Sequence, residues 1–295
     1  MDIEEKKLIK KKIRSEKNKR LFRALFNRKL VVVGTIGLLL FIFLAVFAGV
    51  LTRYDPNATD AKAILENPSA RHLLGTDQFG RDTLTRLLYG ARVSLIIGVL
   101  AVAIACAIGV FLGLCAAYFG GVVDVIIMRV SEVLISIPRV MVSLALIAIM
   151  GNTMIDLAII LAISTIPTYI RMMRAMALSI RDGDYVKAAQ IQGGGSFYIM
   201  LRHVLPNSLS PIIVMMMMNV GSTILMESGL SFLGIGITIP IASWGTMVNV
   251  GRNYLITNPI LAIAPGLCVA LLVICLNALG DGIRDAMDPR LRGEV

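Results

Sequence analysis

Six stretches of this chain, at 30–51, 93–117, 130–150, 155–172, 210–226 and 260–279, are predominantly apolar. Each has close to the 20 residues that an α-helix needs to cross a bilayer. Polar residues and glycines gather between them, at 52–92, 173–209 and 227–259. The pattern predicts an all-α polytopic membrane protein with six transmembrane helices. Pro138 and Pro167 fall inside the third and fourth runs; a proline removes a backbone donor, so bent spans are expected there. The first run continues into Arg53 and Tyr54 instead of ending at small residues, and it reads as a retained span, not a cleaved leader.

The polar interruption between the fourth and fifth apolar runs holds DYVKAAQIQGGGSFYIMLRHVLP, 184–206. Asp184 is expected to cap a short helix over 185–192, and Ala188 and Ala189 leave its surface free of bulk. Gly193, Gly194 and Gly195 then end it, because a residue without Cβ takes the left-handed conformation at little cost. Ser196 is expected to cap a second short helix. Phe197, Ile199, Met200 and Leu201 are its apolar contacts, Arg202 and His203 stay near water, and Pro206 marks the next boundary. The whole reads as a docking element.

In the first polar loop, GTDQFGRD at 75–82 precedes Leu84, Leu87, Leu88 and Ala91 at helical spacing, with Arg86 and Arg92 elsewhere around the helix. This predicts an amphipathic interfacial helix capped by Asp82. Around the third run, Asp124, Arg129, Glu132 and Arg139 flank Ser131, Ser136 and Pro138. Glu132 is within pairing distance of Arg129 on one helical face, and either structural pairing or a gating role accounts for it. Later, Glu227 sits in MESGLSFLGIG, with Ser231 four residues on and Trp244 beyond. It is a candidate pathway carboxylate; pairing with Arg252 or helix capping is the plainer alternative. Four methionines in a row, Met215 to Met218, point all round a helix and read as adaptable packing.

Composition narrows the class. With 57% hydrophobic and 16% charged residues, the chain is too apolar for a soluble domain. Of its net charge of +10, residues 1–29 contribute +8, from twelve Lys or Arg against four Asp or Glu. With a membrane span directly after it, this tail reads as a cytoplasmic anchor and not a nucleic-acid arm. With six spans both termini share that side. Cys106, Cys115, Cys268 and Cys275 all lie in apolar runs and read as reduced, buried thiols. The sequence holds no GxxxxGK[ST] and no HExxH, so neither ATP binding nor zinc hydrolysis is expected of it, and energy must come from a partner.

The spacing Ala188, Ala189, Gly193, Arg202, Leu205, Pro206 resembles the cytoplasmic "EAA" loop of bacterial ABC importer permeases. Lys187 stands where that motif has an acid. The run GTDQFGRDTLTRLLYGARVSL from Gly75 is similar to the dipeptide, oligopeptide and nickel branch, as are the MESGLSFLGIG segment and the C-terminal GDGIRDAMDPRLRG. The resemblance implies a type I importer permease in a bacterial or archaeal cytoplasmic membrane, with N- and C-termini cytoplasmic. Its domains would be a basic tail (1–29), a first span (30–51), an external loop (52–92), a five-span core (93–279) containing the coupling loop (173–209), and a C-terminal tail (280–295). By the same resemblance Asp184, Tyr185, Ala188, Ala189, Gly193, Ser196, Arg202, Leu205 and Pro206 couple to the ATPases. Gly75, Thr76, Asp77, Gly80, Arg81 and Asp82 form an external motif, and Glu132, Pro138, Glu227, Ser231 and Trp244 border the path.

The implied partners are a second permease, two ATP-binding subunits carrying ATP and magnesium, an extracytoplasmic solute-binding protein and membrane lipid. No cofactor, metal or nucleic acid is expected on this chain. The expected cargo is a di- or oligopeptide, or a nickel chelate. Two other classes stay open: an ion-coupled secondary carrier with Glu132, Asp156 and Glu227 as relays, and a non-transporting scaffold that recruits cytosolic proteins.

Overall fold

The computed structural model describes residues 28–287; the basic tail before Arg28 and the tail residues after Met287, with Arg290 and Arg292, lie outside the described residues. Among the described residues the regular structure is helical, with irregular segments at 52–82 and 233–243. In order the helices are α1 (Lys29–Val46), α2 (Ala48–Leu51), α3 (Thr83–Phe119), α4 (Gly121–Ser136), α5 (Arg139–Met150), α6 (Met154–Arg181), α7 (Asp184–Ile191), α8 (Ser196–Ile199), α9 (Leu205–Phe232), α10 (Trp244–Gly251) and α11 (Ile260–Met287). Five of them are long and apolar enough to cross a membrane, and α4 with α5 makes a sixth if a pair bent by 95° counts as one span.

The bend between α4 and α5 is sharper than a proline kink. Helix geometry stops at Ser136, Ile137 is extended, and Pro138 sits at the cap of the next helix. Residues before proline avoid the helical region, and the chain restarts in a new direction.

The core forms where α3 lies along α6. Ala101, Ala105, Gly109, Gly113 and Ala117 recur every four residues of α3, and all are buried. Such a stripe lets two backbones approach closely, which is how helices associate in a solvent as apolar as they are. A Cβ on Gly109 would stand 2.5 Å from Tyr169 Cβ, and one on Gly113 would stand 2.5 Å from the Ile170 carbonyl oxygen. Asp124 fastens α4 to the same helix: Arg174 donates to it from Nε at 2.5 Å and from a terminal nitrogen at 2.6 Å. The outer sides of α1, α4 and α5 stay apolar and exposed, as lipid-facing or partner-facing surfaces do.

One expectation is corrected here. Residues 83–92 do not form a separate amphipathic helix at the interface. They are the first turns of the 37-residue α3, and Thr83, Thr85 and Arg86 are buried under the preceding loop. The helical spacing of Leu84, Leu87 and Leu88 is real, but the loop covers the face that carries Arg86.

Candidate docking and translocation sites

At 1.5 Å per residue α3 is roughly 55 Å long, and its two ends carry two different sites. At the far end, Arg181 of α6 donates to the Ala117 carbonyl at 2.5 Å, so the chain leaving α6 emerges beside the end of α3. There it makes a compact elbow.

Within the elbow α7 runs from Asp184 with Gly183, not Asp184, at its N-cap and no side-chain cap bond. Asp184 instead occupies the first turn, where its charge complements the exposed N–H groups. Gly193 closes α7 with φ +79°, and the Gly193 and Gly194 N–H groups donate to the Gln190 and Ala189 carbonyls, both at 3.0 Å. Ser196 is likewise the first residue of α8 and not its cap, a position held by Gly195. In both cases a glycine with extended backbone supplies the turn that a capping side chain was expected to supply. A π-helical turn over Met200–Val204 joins α8 to α9. Pro206 therefore lies in the first turn of a nearly continuous helix, where its missing N–H disturbs the ladder behind it.

The elbow is two-sided. Val186, Ile199, Met200 and Val204 are sealed inside. Tyr185, Ile191, Phe197 and Tyr198 face outward, with Ile191 87% exposed, beside exposed Lys187, Ala188 and Arg202. Leu205 is half-buried at the base.

At the opposite end, the 75–82 motif folds as a knot. Gly75 and Gly80 have φ +72° and +71°, and a Cβ on Gly80 would collide with the Asp60 backbone. Thr76 bonds the Ala63 carbonyl and accepts from the Glu66 N–H at 2.8 Å. Asp77 accepts from Arg81 Nε at 2.7 Å and is 3.5 Å from Arg86 Nε, with all three side chains buried. Asp82 caps α3 through the Thr85 N–H at 2.8 Å and holds His72 Nδ1 at 2.9 Å. Arg86 reaches further, to the carbonyls of Pro56 at 2.7 Å and Pro240 at 3.3 Å. The knot thus ties the loop before α3 to the segment before α10.

Glu227 lies in that same end of the bundle, fully buried and ringed by hydroxyls. Ser231 and Ser243 donate to Oε1, each at 2.8 Å, while Ser94 and Ser228 lie 3.4 Å from Oε2. Arg252 is not its partner; that guanidinium stacks over the Phe232 ring at 5.2 Å. Ser243 is the N-cap of α10, so the carboxylate connects α3, α9 and α10. Next to it Trp244 is buried, its indole nitrogen donating to the Leu87 carbonyl at 2.8 Å across Gly90. Glu132 and Pro138 are elsewhere, exposed on the bent pair, and Glu132 pairs with Arg129 at 2.9 Å. The structure therefore brings Glu227, Ser231 and Trp244 together and leaves Glu132 apart. Ser94 went unread in the sequence, and nothing local there assigns Ser243 or His72 a carboxylate partner; serine and histidine carry no distinguishing local pattern.

Comparison with known proteins bears on what these ends do. Residues 109–293 match the family described as binding-protein-dependent transport system inner membrane component, and residues 19–68 match the N-terminal TM domain of oligopeptide transport permease C. The chain belongs to the binding-protein-dependent transport permeases. Among its relatives, the dipeptide transport system permease protein DppC of Alkalihalophilus pseudofirmus is 38% identical over 271 residues, 92% of this chain and 89% of that one. The glutathione transport system permease protein GsiD of Pectobacterium atrosepticum is 38% identical over 272 residues, 92% and 90% of the two chains. The di/tripeptide transport system permease protein DppC of Pseudomonas aeruginosa is 37% identical over 280 residues, 93% and 92%. The permease is thus a multi-pass membrane component of an ABC importer.

Proposed function

We propose that this permease forms half of the translocation path of an ATP-driven peptide importer, and that it takes up mechanical work at the elbow around α7. The observation that carries the reading is the elbow's outward face. Tyr185, Ile191, Phe197 and Tyr198 are large, apolar and uncovered on an element outside the membrane-crossing helices, and a surface of that kind is a docking surface. The peptide cargo rests on the relatives, which are dipeptide, di/tripeptide and glutathione transport system permease proteins.

On this reading a second permease supplies the other half of the path, and two ATP-binding subunits, holding ATP and magnesium, grip the elbow of each permease. A solute-binding protein docks at the knotted loop on the other side, and both termini lie in the cytoplasm. Closure of the ATPases moves α7, and α6 and α9, which enter and leave the elbow, carry the movement into the bundle. The coupling residues are Asp184, Tyr185, Ala188, Ala189, Gly193, Ser196, Arg202, Leu205 and Pro206. Gly75, Thr76, Asp77, Gly80, Arg81 and Asp82 hold the opposite face in shape.

Reconstitution of the complete complex in liposomes tests this. Dipeptide should accumulate only with ATP, magnesium and binding protein together. Uptake that follows membrane potential and ignores ATP would replace the reading with an ion-coupled carrier, and ATPase binding without uptake would replace it with a scaffold.

A further inference from the structure

The broken span holds a charge that the described chain leaves unanswered. Arg139 opens α5 directly after the break, and its Nη2 donates to Thr165 Oγ1 at 2.7 Å. Thr165 is well inside α6, roughly 17 Å from the start of that helix and roughly 24 Å from its end at 1.5 Å per residue. The guanidinium is therefore at membrane depth.

Among the described residues no carboxylate lies within ion-pair distance of it. Neighbouring acids are engaged elsewhere: Asp124 with Arg174, Glu132 with Arg129, and Asp156 in the capping box that starts α6. Arg139 Nε is sealed from solvent without a hydrogen-bond partner, and so is the hydroxyl of fully buried Ser143, one turn along the same helix. Thr165 donates its own proton to the Leu161 carbonyl at 2.7 Å, so its oxygen is turned to receive Arg139 and hold it in place. Meanwhile Ser136, Ile137, Pro138, Val140 and Met141 are exposed around the bend, which faces away from the helices packed by this chain.

An unpaired cation facing acyl chains is expensive, whereas one facing a water-filled path is tolerated, and intramembrane charges mark such paths. The planar guanidinium also matches a carboxylate in two parallel hydrogen bonds. We propose that Arg139 receives the carboxylate of the passing solute, the C-terminal carboxylate of a peptide, at the bend of the broken span. Every peptide with a free C-terminus carries that group, so a single residue serves cargo of varied side chains. The proposal rests on the peptide-import reading above.

A charge-rescue experiment tests it in the reconstituted complex, with Cys106, Cys115, Cys268 and Cys275 replaced by alanine. Arg139→Cys should lower dipeptide uptake roughly tenfold or more, the cost of a lost charge-assisted hydrogen bond. An aminoethyl methanethiosulfonate, which adds an ammonium with N–H donors, should restore uptake and a sulfonate reagent should not, and binding protein loaded with dipeptide should slow the labelling. A thiol that neither reagent reaches overturns the assignment. So does labelling at one rate with and without dipeptide, and rescue in that case means that Arg139 answers an acid on the second permease. If Arg139→Cys does not assemble, Arg139→Lys and Arg139→Gln decide: uptake kept by lysine and lost with glutamine supports the proposal, and equal uptake overturns it. Failure of the complex bearing native Arg139 to import any dipeptide would instead remove the import reading itself.

Discussion

Glu227 and Ser243 are joined across the end of the bundle: the Ser243 hydroxyl donates to Glu227 Oε1 at 2.8 Å, although a whole turn region separates them in sequence. Through this bond the cap of α10 is fixed to the middle helices. Glu227→Ala would leave the surrounding serines without their acceptor in a dry interior, at a cost of about 1–3 kcal/mol. Glu227→Gln keeps a carbonyl oxygen in the ring and should cost less. Thermal denaturation of the purified complex should rank native above glutamine and glutamine above alanine; equal melting temperatures for the two variants would show that the ring is not structural.

The α3–α6 seam makes a steric prediction. Gly113→Leu forces side-chain atoms into the backbone of Ile170 and should cost about 1–3 kcal/mol or more, as overpacking does. Gly221→Ala meets nothing nearer than 3.4 Å, the Asn277 side-chain oxygen, and should assemble normally. The yield of detergent-stable complex separates the two.

In the knotted loop, Asp77 is the acid that both Arg81 and Arg86 face. Asp77→Asn strands two buried guanidinium groups, and breaking such a pair costs about 3–5 kcal/mol. Added protease should then cut the 52–82 segment in right-side-out vesicles much faster than in the native permease. Unchanged cleavage would mean that the loop is held by its glycines and backbone bonds alone.

The elements themselves were legible in the sequence, since each span is a run of apolar residues and runs are local. Gly193 was legible for the same reason: a left-handed helix end is chosen by one residue. The helix caps were misplaced by one position because Gly183 and Gly195, with no side chain to bond, performed the turn expected of Asp184 and Ser196. The interior chemistry was the part that stayed hidden. Ser94 reaches Glu227 across 133 residues, and Arg86 reaches the Pro240 carbonyl across 154; no periodicity encodes contacts of that span. The near-right-angle bend at Pro138 was foreseen only as a kink, because proline predicts where a helix breaks and not the direction in which tertiary packing sends the next one.

Coupling through the elbow is the central claim, and Gly193 gives the most direct access to it. Its φ of +79° suits glycine, and a Cβ there would meet nothing within 4 Å, so a substitution strains the backbone without a clash. Asparagine tolerates that conformation, whereas a β-branched residue pays about 1–2 kcal/mol or more. The deciding measurement is ATP hydrolysis by the assembled complex with and without loaded binding protein. Gly193→Asn should keep the stimulation, and Gly193→Val should assemble yet hydrolyse ATP at a rate indifferent to the binding protein. Full stimulation and normal uptake in Gly193→Val would contradict the claim that α7 carries the work.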